Sequence, residues 1–536
     1  MSLYYYVSEE TQRSYHQKGL DYTPLYISCL LGFMGATGEP VSDLSVPGPC
    51  DILLIGAEDL TPDQVRELTS GRIGTVISFG AGRGRVCAVR EKKIFDTLSL
   101  DRFEIPLFAP VLEDGLLEEG DASVLLRAGE KPAVLKKGRV YDFRFDLPAS
   151  VWFSGDGFGD GGPTAWFPLG RTPDFRPLPP DMKMPYPYND EMLFFVESIL
   201  LDTGLPLLDR LPPMEDGTVA DLALHISGDD DYTSSVFDRQ AAAYLHSIGM
   251  RYHLNVMPGP GPSFILSQGD LSELESLGCE CGLHTDFTVR DYSEESQRET
   301  LLHYLSFFGR PSLTGTNHCL IQRGSTAERL RWLSACGALA DNGKSGEVDP
   351  SDINAFNLKG FSYGTSFPRK TLDDAAHGNA PIYCLEIPIN YYEPRVGGPY
   401  PGPEVVLDYI DDAAREGRIA QFFCHPHYLE DHGEHTTWTR AAIEAGLSHA
   451  RDKGYRIFRT TTDEIALFWH ARSLSKISSK DGALTVSSAT SVVLRLPDAQ
   501  ASGTALLDGK PVRPLHAKRP GRFIPVPGGT HTIELK

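Results

Sequence analysis

Between residues 189 and 472 the chain repeats one pattern: a short apolar run, an amphipathic stretch, then a glycine. Strand-like runs fall at 221–227, 252–257, 279–284, 312–318, 382–387, 420–424 and 455–459. Between them lie stretches with helical spacing, such as SVFDRQAAAYLHSIG, EESQRETLLHYLSFFG and TRAAIEAGLSHARDKG. Several are closed by the glycine that commonly ends a helix. Strands separated by helices pair in parallel, and about seven such units favour a distorted (β/α)7-type barrel over an open doubly wound sheet. In a barrel of that kind, reactive side chains belong on the loops beyond the strands' C-terminal ends.

The rest of the chain divides around this block. Residues 1–170 read as an α/β sheet domain. Asp51-Ile52-Leu53-Leu54-Ile55-Gly56 and Gly74-Thr75-Val76-Ile77-Ser78-Phe79-Gly80 are buried-strand signatures, and Thr61-Pro62 opens a helix between them. The stretch VLLRAGEKPAVLKKGRVYDFRFDL adds antiparallel strands at one edge. A linker follows at 171–188, where six prolines in eighteen residues forbid a continuing helix. The tail, 473–536, alternates apolar and polar residues around an Asp508-Gly509 turn and reads as a small β-sandwich.

Basic residues number 50 and acidic residues 72, a formal net charge of −22. Such a field repels polyanions, which argues against nucleic-acid partners and against docking on an acidic membrane surface. It is neutral toward a glycan. No run of about 18 apolar residues occurs, so no membrane span is expected. The nine cysteines are odd in number and sit mostly in apolar runs, as reduced, buried thiols do. Cys279-x-Cys281 is too closely spaced for a zinc knuckle and reads as packing on one strand face. No signal peptide precedes the first polar residues. The chain reads as cytoplasmic as it stands, with export left open should a leader have been removed.

The polar residues of the middle block fall at strand ends. The first strand runs into His225-Ile226-Ser227-Gly228-Asp229-Asp230-Asp231. Three adjacent carboxylates repel one another unless a cation or a proton lies among them, a solvated turn being the competing reading. The third strand ends in Gly282-Leu283-His284-Thr285-Asp286, the fourth in Thr316-Asn317-His318, the sixth in Cys424-His425-Pro426-His427. Aspartate and histidine converging on one rim suit zinc or another divalent transition metal. Asp341, after Ala338-Leu339-Ala340, is a candidate for the cleft wall, while His432 and His435 fall in a polar loop that reads as solvated.

At these residues the chain resembles the polysaccharide deacetylase, or NodB-like, carbohydrate esterase superfamily, over roughly 215–470, about half its length. The family's first motif is a strand ending in Thr-Phe-Asp-Asp-Gly. Ser227-Gly228-Asp229-Asp230-Asp231 occupies that place, which implies Asp229 as general base and Asp230 as metal ligand. The second motif, His-Ser/Thr-x-x-His approached through Glu-x-Gly-x, is matched by Glu280-Cys281-Gly282-Leu283-His284-Thr285, with Thr288 where the family has its second histidine. His284 is then an implied ligand. His318 is the preferred third, with Asp286 or a water as alternatives. The last motif, matched by Phe422-Phe423-Cys424-His425-Pro426, implies His425 as proton donor. Asp231, Asp286, Asp341 and His427 are assigned to substrate binding. The resemblance implies a Zn2+-dependent deacetylase hydrolysing an N- or O-acetyl group on a carbohydrate or related amide. A catalytically inactive glycan-binding relative and another mononuclear metal hydrolase are the alternatives. The first block resembles amidotransferase-like domains found beside carbohydrate-active enzymes. Its turn, Gly80-Ala81-Gly82-Arg83-Gly84, lacks a cysteine nucleophile, so it is read as a non-catalytic accessory domain and the candidate surface for homo-oligomer assembly.

Overall fold

The computed structural model describes the chain except for residues 19–21, 84–93, 102, 157–186, 259–263, 319–320, 322–325, 346–363, 391–403, 430–433, 481, 499–502 and 536. Most of the 171–188 stretch, Gly84, Cys87 and His432 therefore lie outside the described residues, as does the side chain of His435.

The N-terminal region forms a nine-stranded sheet. Its parallel half orders Glu39–Val41, Leu3–Tyr6, Ile52–Ile55, Thr75–Phe79 and Val140–Phe143. An antiparallel half continues from the last of these through Lys131–Lys137, Ser123–Ala128, Asp96–Leu100 and Phe103–Leu107. Thr61 caps the helix Pro62–Thr69 in a reciprocal box with Gln64.

The middle region is a nearly closed parallel sheet. Its strands are β1 (Leu222–Asp229), β2 (His253–Val256), β3 (Glu280–Thr285), β4 (Thr314–Asn317), β5 (Ala340–Ser345), β6 (Leu385–Ile389), β7 (Ile419–Phe423) and β8 (Ile457–Thr460). The hydrogen-bonded order is β6-β5-β4-β3-β2-β1-β7, and β8 also pairs with β1. Strand β5 was not among the expected runs. Its sequence, ADNGKS, is polar because Asn342 faces the barrel interior, where Ser227 and Gln421 donate to its side-chain oxygen.

Alternation along β1 sorts its side chains between two environments. Leu224 and Ile226 join the apolar layer under the helices, while Ala223 packs inward with Leu385, Ile387 and Ile419. His225, Ser227 and Asp229 share the inward parity. The helices that return the chain are capped by serine: Ser234 for Ser235–Ser247, Ser267 for Gln268–Ser276 and Ser293 for Glu294–Phe308. Among the described residues no helix is long and apolar enough to cross a membrane.

The C-terminal residues build two antiparallel sheets around one apolar cluster that includes Leu208, Val486, Leu494, Ile524 and Ile533. One sheet takes its edge strand, Leu207–Leu208, from the segment leading into the barrel, where it pairs with Val492–Leu496. Asp508 and Gly509, both at positive φ, turn the hairpin between Ala505–Leu507 and Lys510–Val512. Arg472, in the last barrel helix Thr462–Leu474, joins the parts. Its buried guanidinium donates to the carbonyls of Gly32 and Phe33 and to those of Leu208 and Asp209.

Candidate metal centre

The centre lies where β1, β3, β4 and β7 end. Asp231 is its hub. His284 Nε2 stands 3.0 Å from Asp231 Oδ1, and His425 Nε2 stands 3.0 Å from Oδ2. His318 Nε2 is 3.8 Å from that second oxygen. Asp229, two residues back along the pleat, lies beside them, its Oδ2 3.5 Å from His284 Nδ1 and its Oδ1 accepting from Asn255 Nδ2 at 2.8 Å.

Asp230 is a correction to the expected ligand set. Its carboxylate accepts from the Met257 amide at 3.0 Å, and the neighbouring charge that most affects it is Asp238, on the following helix. The reason is parity at the strand end: Asp229 is the last residue of β1 and faces inward, so the next step turns Asp230 away. Burial, then Asp238, pushes the Asp230 carboxyl well up. Reaching the rim from Asp231 takes left-handed backbone, with φ of 42° at Asp231 and 61° at Tyr232. Non-glycine residues adopt that region only when their surroundings enforce it.

Asp286 is also corrected. Rather than facing a substrate, it is 1% exposed and accepts from His318 Nδ1 (3.1 Å), Tyr232 Oη (2.7 Å) and both the amide and hydroxyl of Thr288 (2.8 and 2.6 Å). Burial would raise this carboxyl, but the bonds from His318, Thr288 and Tyr232 outweigh it and hold it low. Thr288, at the motif's second histidine position, thus fixes the carboxylate that orients His318. A histidine ligand is commonly aimed in this way, by a carboxylate on its other nitrogen. Asp341 leaves the cleft as well. It pairs with buried Arg329 on the helix Thr326–Ala335 at 2.5 Å. His427 is half-buried, its ring against Tyr428 and 5.7 Å from that of His425.

The charges are unevenly settled. Burial raises Asp229, against the pull of His284 and His425. At Asp231 burial acts the same way and loses to hydrogen bonds from His284 and His425, which hold that carboxyl far below the ordinary range. One ligand atom each from Asp229, Asp231 and His425 fits within a sphere that a metal ion could occupy. The imidazoles of His284 and His318 with the Asp231 carboxylate are a borderline nitrogen–oxygen donor set, so the residues present fit zinc or a similar divalent ion.

No family model matches the chain, and no curated protein does. Among solved structures it is similar to a Mycobacterium smegmatis protein described provisionally as a polysaccharide deacetylase, at 12% identity over 51% of this chain and 98% of that one, TM-score 0.34. It is similar to a family 4 acetyl xylan esterase from Clostridium thermocellum in complex with a cobalt ion, at 12% identity over 46% and 91%, TM-score 0.26. The chitin deacetylase of the fungal pathogen Colletotrichum lindemuthianum matches at 13% identity over 46% and 88%, TM-score 0.27.

Two residues at the centre were not foreseen. Asn255 has a sequence signal, since it stands two places after His253 on an alternating strand and so shares its face. Tyr232 follows the acidic run directly, but nothing local predicts that its hydroxyl reaches Asp286, 54 positions on.

Proposed function

We propose that this chain is a metal-dependent hydrolase that removes an N- or O-acetyl group from a carbohydrate or related amide. The observation that carries the reading is the meeting of three imidazole nitrogens, from three separate strand ends, around the Asp231 carboxylate. The motif order of the superfamily it resembles supports the same reaction class. Asp231, His284 and His318 would hold the ion, with Zn2+ favoured by the donor types. When bound, it supplies Lewis acidity, acidifying a water and polarising the acyl oxygen.

The chain's own residues do the proton work. Asp229 takes the proton of the attacking water. Its Oδ1 is fixed by Asn255, and burial raises its affinity for the proton it receives. His425, across Asp231 from His284, gives a proton to the departing amine or alcohol. Asp286, Thr288 and Tyr232 keep the His318 ring aimed at Asp231.

Hydrolysis of an acetylated amino sugar and of an activated aryl acetate, measured beside metal content, tests this. Asp231→Ala is expected to lose about one ion per chain together with all turnover. His425→Ala should keep that ion and lose the amide reaction most, because the aryl leaving group needs no proton. Loss of the ion in His425→Ala would make that histidine a ligand. A metal-loaded chain that binds glycan without hydrolysing any substrate would place it among inactive relatives.

A further inference from the structure

The barrel carries a second group of ligand-type side chains at its other end. His253 and Glu280 open β2 and β3, Thr314 opens β4, and Asp463 sits in the first turn of the helix Thr462–Leu474. One ligand atom each from His253, Glu280 and Asp463 lies within 4.8 Å of the others.

The hydrogen bonds fix which histidine nitrogen is free. Thr314 donates its hydroxyl proton to Asp463 Oδ1 at 2.7 Å, so its oxygen is the acceptor for His253 Nε2 at 3.1 Å. That places the ring proton on Nε2. His253 Nδ1 is buried without a hydrogen-bond partner, and Glu280 Oε2, which also accepts from the Thr461 hydroxyl, faces it at 3.9 Å. A ring lone pair and a carboxylate oxygen across such a gap repel unless a cation, a metal ion or a proton on the ring, lies between them. Arg251 does not settle the charge, since it is shared between Glu280 Oε1 (2.9 Å) and Glu464 (2.5 Å). Arg310, the arginine whose charge acts on Asp463, is paired with Glu275 at 3.2 Å. Gly282 lets the His253 ring and Thr314 close up over β3, for a Cβ there would stand 2.6 Å from His253 Nε2, 2.7 Å from Asn255 Oδ1 and 3.1 Å from Thr314 Oγ1. His225, fully buried nearby, also leaves its Nδ1 without a partner. Glu280 and Asp463 are only partly buried, so an ion has a way in.

We infer that the barrel floor binds a second divalent cation of the zinc class through His253 Nδ1, Glu280 Oε2 and an Asp463 carboxylate oxygen. With Nε2–H held by Thr314, the ring has the outer hydrogen bond that histidine ligands normally carry. The ion ties the last barrel helix to the starts of β2 and β3. Its role is structural, and it does not depend on the reaction proposed for the rim.

Full-length protein, stripped by a chelator and reloaded with Zn2+, gives the test by counting bound metal in wild type, Asp231→Ala and His253→Gln. About two ions per chain are expected in wild type and about one in each variant. Chelation of Asp231→Ala should also lower its melting temperature. An Asp231→Ala chain with no ion, or a His253→Gln chain with the wild-type count, overturns the floor site. A count that falls with His253→Gln and not with Asp231→Ala leaves the floor standing and sinks the rim reading instead. Should His253→Gln fail to fold, anomalous scattering from cobalt-loaded wild-type crystals decides: a peak between His253 and Glu280 supports the site, and a peak at the rim alone refutes it.

Discussion

At the rim of the barrel three histidine rings surround one carboxylate, whereas at the floor one histidine ring stands between two carboxylates. The rim residues lie at or past the ends of their strands, and Asp231 gets there on strained, left-handed backbone. At the floor the residues come from strand starts in regular register and from the first turn of a helix capped by Thr461. The difference separates two uses of the same side chains. Where the backbone is regular, polar groups are tied to threonines and an arginine and hold elements together. Where it departs from regularity, a carboxylate is aimed among imidazole nitrogens, and strain of that kind concentrates at reactive sites.

The harshest way to break the comparison is Gly228→Ala. A Cβ at that position overlaps the Cys424 carbonyl oxygen and the Tyr252 hydroxyl, so β1 and the residue before His425 can no longer lie side by side. No soluble, cooperatively melting protein is expected, as read by circular dichroism. Asp229→Asn comes next. It keeps shape and removes the basic oxygen, so turnover on an acetylated amino sugar should drop about 10²–10⁴-fold with metal content unchanged. Asp286→Asn is milder. It weakens the hold on His318, lowering rim metal affinity about 10–100-fold in a competition titration and leaving a floor ion in place.

The smallest effect sharpens the boundary between rim and helix layer. Asp238 is fully buried, and burial, then Asp270, pushes its carboxyl up to about 8. The fold favours the neutral form. The group's contribution to stability is therefore complete below the ordinary carboxylate value of about 4 and is lost as pH rises through about 8. Between pH 5 and 8.5 the melting temperature of wild type should fall by about 2–4 °C more than that of Asp238→Asn. Parallel curves for the two proteins would show that Asp238 is ionised throughout.

Much of the barrel is legible in the sequence because its helix-facing positions are apolar at strand period and several of its helices are closed by a glycine, such as Gly249, Gly309 and Gly454, at positive φ. The polar interior is what hides the rest. β5 has no apolar run, since its inward Asn342 serves a hydrogen-bond network with Ser227 and Gln421 that joins three strands distant in sequence. At the rim the motifs point to Asp230, whereas Asp231 is the carboxylate that reaches the histidines, because no local signal marks where β1 stops alternating. Thr288 looks like a lost ligand in sequence. Only the packing reveals that it buttresses the histidine arriving from β4. The two-residue strand Leu207–Leu208 is too short to leave a pattern, and its partner lies far along the chain in the tail.

Arg472 has a consequence for taking the molecule apart. Two of the carbonyls that satisfy its guanidinium belong to Gly32 and Phe33, the first of them 440 positions away. A fragment starting at the barrel would keep the buried cation and discard those acceptors, leaving a charge in the interior with its hydrogen bonds half made. Gly35 and the Thr37 hydroxyl, which meet Leu208 and the Ile477 amide, would go with them. Cutting the gene between residues 171 and 188 therefore does not cut the protein at a seam. A barrel meant to stand alone has to carry residues 27–37 with it, or exchange Arg472 for a side chain that asks nothing of them.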